Sequence, residues 1–135
     1  MSIINQSILF LITLIHIVVV LFLIVTPFTS LTGLHFLHVI IIPFILLHWY
    51  LNDNTCALTI AEQFIREKTY GKEANKEECF TYKLIAPIYD FNKNYDEYSK
   101  FTYFSMIALW SLSVKNLVQD YSLGKIQTLK DLTRI

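Results

Sequence analysis

The chain has 135 residues, of which 54% are hydrophobic and 16% are charged, and its formal net charge is zero. The charged share is well below the roughly one quarter that is usual in soluble domains. The length allows a single domain over residues 1–135. Because the chain has no excess of basic residues and no nucleic-acid-binding motif, we expect no binding to DNA or RNA.

The charges are unevenly distributed along the chain. No Lys, Arg, Asp or Glu precedes Asp53, so all 22 charges lie in the last 83 residues. A small soluble protein cannot easily bury 52 consecutive uncharged residues, because the elements of a small core are mostly amphipathic. The bilayer is the simpler solvent for this half, and we predict an all-α integral membrane protein.

The first apolar run predicts a membrane helix over about residues 7–28. Ile8 to Val25 is interrupted only by Thr13 and His16, and a span needs about 20 residues. The run lacks the basic leader and the small-residue cleavage site of a signal peptide. We therefore expect this helix to be retained.

The second apolar run predicts a helix over about residues 34–51, with a kink at Pro43. Trp49 and Tyr50 end this run, where the aromatic belt of a membrane protein is expected. The short segment 26–33 contains Pro27 and Gly33 and predicts a turn. Residues 1–51 are therefore predicted to form a transmembrane hairpin.

The remaining chain is predicted to contain an interfacial segment (52–100), a third helix (101–118) and a polar tail (119–135). Thr59-x-x-Glu62 has the pattern of a capping box and predicts a helix over about 60–70, on the membrane surface or against the hairpin. Helix 101–118 is either a short membrane span or a helix packed on the others. Seven basic residues in 52–100 against four in 101–135 favour a cytoplasmic 52–100 segment and N-terminus.

All four histidines lie in the hairpin. With a turn near residues 31–32, His16 and His48 each lie about 24 Å from it and are level across the hairpin. Level histidines on neighbouring helices could clamp a haem iron, and the candidate ligands are His16, His38 and His48. Metal binding and proton relay remain open, but we favour simple hydrogen bonding of each imidazole to a carbonyl, a threonine or its neighbour. No dedicated metal site is predicted.

The remaining chemistry-bearing residues give no catalytic pattern. Cys56 and Cys79 lack the spacing of a zinc site; they are disulfide-bonded or free, and we favour free. No nucleophile elbow, zinc-protease helix, phosphate loop or dinucleotide fingerprint is found. We therefore assign no catalytic residue and favour a non-enzyme.

A resemblance rests on residues 34–67, LHFLHVIIIPFILLHWYLNDNTCALTIAEQFIRE. Together with His16 and a P-x-Y-like segment at Pro87–Tyr89, this stretch resembles a family of small uncharacterised multi-pass membrane proteins of bacteria. It is also similar to small membrane proteins encoded by large DNA viruses of eukaryotes. The family pairs a histidine in its first helix with one early in its second, here His16 and His38, before a C-P-L-T-x-x-E segment.

The resemblance covers roughly residues 10–115 and implies a membrane fold but no established activity. This chain has Ala57 where the bacterial pattern has proline. The family pattern contains no counterpart of His48. The motif residues that the resemblance singles out, without a role, are Cys56, Leu58, Thr59, Glu62, Pro87 and Tyr89.

Three functions follow as hypotheses. The leading one is a non-enzymatic membrane protein of structural or accessory type, in a host or virion membrane or a membrane complex. Its partners would be the lipid bilayer and other membrane or capsid proteins. The alternatives are a redox protein that binds haem or a metal through the hairpin histidines, and a membrane-interface enzyme around Cys56, Thr59 and Glu62.

Overall fold

A computed structural model of the chain describes residues 3–70 and 95–134, and all regular structure in these two ranges is helical. The all-α prediction is therefore confirmed for the described part of the chain. Cys79, Pro87 and Tyr89, which the sequence singled out, lie outside it. The helices are α1 (Ile3–Val25), a 3-10 turn (Thr26–Phe28), α2 (Thr32–Leu51), α3 (Ala57–Tyr70), α4 (Tyr95–Ser122) and α5 (Leu129–Leu132).

Helices α1 and α2 confirm the two predicted apolar helices. Among the described helices, they are the two that are long and apolar enough to cross a membrane. The mean hydropathy of the most apolar 18-residue stretch is 3.3 within Ile3–Phe28 and 1.9 within Thr32–Leu51. Helix α2 continues without interruption through Pro43. Helix α4 covers the predicted 101–118 range and extends to both sides of it, but it does not reach the same hydropathy criterion.

The chain divides into two compact units. The first consists of Met1–Val19 and Trp49–Tyr98, and the second of Val20–His48 and Ser99–Ile135. The first unit therefore contains the start of α1 together with α3. The second contains the turn between α1 and α2 together with most of α4.

Within the second unit, α4 runs antiparallel to α2. Thr32 Oγ1 donates to Asp120 Oδ2 at 2.7 Å, and Trp110 Nε1 donates to the carbonyl of Val39 at 3.0 Å. As residue numbers rise along α2, those of their partners on α4 fall. The two helices therefore lie side by side over several turns.

Side chains from α2 and α4 form hydrogen bonds to the backbone of the turn between α1 and α2. The His35 ring lies with Nε2 2.8 Å from the carbonyl oxygen of Thr29, and Asn116 Nδ2 donates to the carbonyl of Pro27 at 2.7 Å. The amide of Thr29 donates to the carbonyl of Thr26 at 3.0 Å. Turn carbonyls that no helix can satisfy thus receive donors, as apolar surroundings require.

The predicted capping box at Thr59 and Glu62 is wrong. Helix α3 begins at Ala57, and the carbonyl of Cys56 accepts the amide of Ile60 at 3.1 Å, so Cys56 is the N-cap and Thr59 lies inside the first turn. The cause lies upstream. Asp53 and Asn54 adopt positive φ angles of 51° and 58°, which reverse the chain within a few residues and let the next helix begin early.

The end of α4 also differs from the predicted boundary at residue 118. The helix continues to Ser122, and Gly124 follows with a φ of 76°. The amides of Gly124 and Lys125 donate to the carbonyls of Tyr121 and Asp120 at 3.1 and 3.0 Å. This pair of bonds is the Schellman motif, which needs the left-handed conformation that glycine adopts without strain.

The short helix α5 depends on one carboxylate. Asp131 Oδ2 accepts the amides of Gln127 and Thr128, both at 2.9 Å, and the Thr128 hydroxyl at 3.2 Å. The amides of Gln127 and then Thr128 are the main reason that the pKa of Asp131 lies below its ordinary value. A capping interaction of this kind therefore occurs in the tail, not at Thr59.

We expect α5 to unfold locally in acid. Because the pKa of Asp131 is lowered in the folded state, its stabilising effect is present above its ordinary pKa of 3.8 and is lost as the pH falls through the lowered folded value. Amide hydrogen exchange at residues 127–132 should accelerate in that range. Asp131→Asn should show the fast exchange at neutral pH, whereas Asp120→Asn should leave these amides protected; equal exchange in both variants would contradict this account.

Candidate functional site

The described part of the chain has a polar interior and an apolar exterior. Its buried hydrophobic side chains are Leu23, Ile42 and Met106. Its buried polar ones are more numerous: His16, Thr26, His35, His38, Thr55, Glu62, Ser99 and Ser113. In the most apolar stretches of α1 and α2, only 11% and 17% of the residues are buried. Soluble proteins show the opposite distribution, with polar residues mostly exposed.

His38 lies at the centre of the second unit and is fully buried. Its Nε2 lies 3.0 Å from the carbonyl oxygen of Leu23 on α1, and its Nδ1 lies 2.8 Å from Ser113 Oγ on α4. The Phe22 ring packs edge-on against it, with centroids 5.7 Å apart. One imidazole on α2 therefore joins three helices.

The two partners of His38 define its chemical state. A carbonyl oxygen only accepts hydrogen bonds, so Nε2 carries a proton and donates it to Leu23. In the neutral ring Nδ1 then has a lone pair, which accepts the Ser113 hydroxyl proton. Because both ring nitrogens are engaged and both side chains have 0% exposure, the His38 ring has no free nitrogen and no open face for a ligand.

His35 lies three residues before His38 and is also buried, at 1% exposure. Its Nε2–H donates to the carbonyl of Thr29. Its Nδ1 accepts no hydrogen bond from the described residues. His35 thus closes the hairpin turn with one nitrogen only.

In the first unit, a charged cluster involves Glu62, Arg66 and His16. Glu62 has 0% exposure, and Arg66 donates to its Oε1 from Nε at 3.1 Å and from Nη2 at 2.9 Å. The Arg66 side chain is 20% exposed. The buried His16 imidazole is near enough to interact electrostatically with the Glu62 carboxylate. A buried carboxylate needs such partners, because an isolated one is very costly in free energy.

The predicted haem ligands have different surroundings. His16 is buried in the first unit and His38 in the second, whereas His48 is exposed on α2. The proposed level pair thus combines an interior and an exterior side chain, and His38 already uses both ring nitrogens. The haem alternative stays a prediction, and an absorption spectrum of the purified protein tests it.

The motif residues of α3 have dissimilar surroundings. Cys56, Leu58 and Thr59 are half-buried at the start of the helix, and Glu62 is buried in its ion pair with Arg66. The sequence reading did not identify Arg66, Ser113, Asn116 or Asp120 as interior polar partners. Ser113 and Asn116 carried a weak signal, since each is a polar residue within a largely apolar helical run.

Comparisons with protein-family models, with curated proteins and with solved structures find no match to this chain. The family resemblance at residues 34–67 therefore stays a prediction. The site must be interpreted from its own chemistry.

Ser113→Ala should lower the free energy of unfolding by about 1 kcal/mol, because it leaves the His38 lone pair buried without a donor. Ser111 is the matched control. It lies on the same helix, is exposed, and bonds only the carbonyl of Ile107 at 2.8 Å. Denaturation of the purified protein in mixed detergent micelles measures both variants. If Ser111→Ala costs as much as Ser113→Ala, the link between His38 and Ser113 contributes nothing specific.

Glu62→Gln should lower the free energy of unfolding by about 1–3 kcal/mol, because it removes the charge that faces Arg66 and His16. Glu67→Gln is the control, since Glu67 lies on the same helix but is exposed. The same denaturation measurement applies. An unchanged stability in Glu62→Gln would mean that the buried carboxylate is not held by its charge.

Proposed function

We propose that the chain is an integral membrane protein whose helices α1, α2 and α4 cross the bilayer, and that its role is structural or accessory, not enzymatic. The observation that carries the proposal is the inverted distribution of polarity. Buried polar side chains such as His38 and Glu62 bond to other polar groups of the fold, while long apolar side chains cover the outside. Lipid is the solvent in which such an exterior is stable without a further protein layer.

Exposure of the apolar helices argues against a soluble alternative. The core helix of a soluble protein is as apolar as α1 but is mostly buried. On α1, residues such as Phe10, Val18 and Leu21 are 70%, 58% and 55% exposed. In water, an apolar surface of this extent would drive association or aggregation. A bilayer removes that cost.

The third span rests on the register of α4. The pairs Thr32–Asp120 and His38–Ser113 show that α4 lies beside α2, beginning at Thr32, the first residue of α2. Continued at the same register, the segment 101–118 lies along the rest of α2. With 28 residues at 1.5 Å each, α4 is about 42 Å long, enough to cross with a tilt.

The non-enzymatic part of the proposal rests on how the polar groups are used. His38 and Ser113 have the residue types of a nucleophile and its base. Both are fully buried, and each satisfies the other. Glu62 is likewise committed to Arg66. The His38–Ser113 pair joins two helices and the Glu62–Arg66 pair lies within α3, and a structural role fits both pairs better than turnover of a substrate.

The partners in this proposal are the lipid bilayer and other membrane proteins. A virion membrane or a membrane complex is the setting that the resemblance at residues 34–67 suggests. Proteomics of purified virions or membrane complexes tests that setting. Recovery of the protein only as a free monomer would contradict it.

If three helices span the membrane, the side on which each helix end lies can be predicted. In a cysteine-free background (Cys56→Ser, Cys79→Ser), Ser30→Cys and Gln127→Cys should react with a membrane-impermeant maleimide from one side, and Ile3→Cys from the other. All three positions are exposed. The protein should also resist alkaline carbonate extraction. Release by carbonate would contradict insertion, whereas labelling of positions 30 and 127 from opposite sides would contradict only the third span.

A further inference from the structure

The C-terminal segment, residues 123–134, lies against the turn between α1 and α2. The amide of Gly33 donates to the carbonyl of Arg134 at 3.2 Å, and Lys125 Nζ lies 3.6 Å from Asp120 Oδ1. Asp120 itself accepts the Thr32 hydroxyl. The segment is therefore held at the turn end of the second unit by backbone and side-chain bonds.

At the turn end of the second unit, the acidic side chains bond within the fold, whereas two of the basic side chains are exposed. Asp120 bonds Thr32 and Lys125, and Asp131 accepts backbone amides. Both carboxylates are therefore engaged within the fold. Lys130 and Arg134 are exposed and form no salt bridge with any described residue. Segment 123–134 carries three basic side chains and one carboxylate, so its net charge is positive. Arg134 is near enough to Asp131 to contribute to the lowering of its pKa.

Apolar side chains project from the same segment. Leu129 is 82% exposed and Leu123 is 64% exposed, and at the turn Phe28 is 72% exposed. Leu129 is the direct neighbour of Lys130. Leucines beside exposed basic residues, at the end of predicted membrane helices, are the composition of a surface that lies in the lipid headgroup region.

We propose that the C-terminal segment binds the anionic phospholipid headgroups of the leaflet at the turn end, with Leu123 and Leu129 inserted and Lys130 and Arg134 on the phosphates. The inference rests on the proposed membrane insertion and adds a lipid class to it. Charge complementarity selects the occupant. A zwitterionic leaflet offers no net charge to the basic residues, whereas an anionic one attracts each of them.

A fluorescent probe in the full-length chain tests the proposal. NBD is attached at Leu129→Cys in the Cys56→Ser, Cys79→Ser background. The protein is then reconstituted in vesicles of phosphatidylcholine alone and in vesicles with about one-third phosphatidylglycerol. We expect a larger blue shift and slower quenching by aqueous iodide in the anionic vesicles. A second label at Leu123→Cys should respond in the same way. Equal spectra in the two vesicle types at both positions would overturn the proposal.

Charge removal gives the matched comparison. Lys130→Gln with Arg134→Gln removes two exposed charges while keeping the described bonds of these residues, which use their backbone carbonyls. The phosphatidylglycerol fraction needed for half of the shift should rise about fivefold or more. Lys68→Gln with Lys100→Gln, two exposed lysines elsewhere in the chain, should leave it unchanged. Equal effects of the two double variants would overturn the role of these residues.

Failure of the proposed function is distinguishable from failure of this inference. A protein that does not enter vesicles of either composition contradicts membrane insertion. A protein that enters both equally, with no response at positions 123 and 129, contradicts lipid selection alone. High salt should abolish the response if it is electrostatic, because exposed charges are screened over about 3 Å at 1 M.

Discussion

The second unit depends on a single imidazole. His38 donates to a carbonyl of α1, accepts a hydroxyl from α4 and belongs to α2. Apolar side chains in a lipid environment gain little from helix association, because lipid tails are as apolar as leucine. Interhelical hydrogen bonds and close packing must then supply specificity. A histidine is well suited to this position, since its two ring nitrogens provide one donor and one acceptor in opposite directions.

Other polar groups in and around the interior are also paired, in the hairpin turn and within α3. His35 and Asn116 satisfy carbonyls of the hairpin turn, and Arg66 satisfies Glu62. Each bond joins groups that would be costly if left unpaired in an apolar environment. The buried polar residues of the described chain are therefore used in contacts that fix the fold. In the proposed membrane setting, the apolar exterior would face lipid.

The sequence predicts the helices well and their contacts poorly. The two apolar runs are evident because charged residues are excluded from them, and the third helix because residues 101–114 are uncharged. The partner of His38 is not predictable in this way. Ser113 lies 75 residues away, and a helix that is apolar on every side gives no signal about which face turns inward. The start of α3 was misplaced because the positive φ angles at Asp53 and Asn54 depend on local turn chemistry.

The long sequence separation of these contacts has a consequence for biogenesis. Pro27 and Asn116 are 89 residues apart, and His38 and Ser113 are 75 apart. At a synthesis rate of about 5–20 residues per second, roughly 4–18 s pass between the emergence of the hairpin and that of its partners. During this interval the Pro27 carbonyl and the His38 lone pair have only water, lipid or a chaperone to bond. The hairpin is thus a nascent intermediate that must be kept from pairing with the wrong helix until α4 arrives.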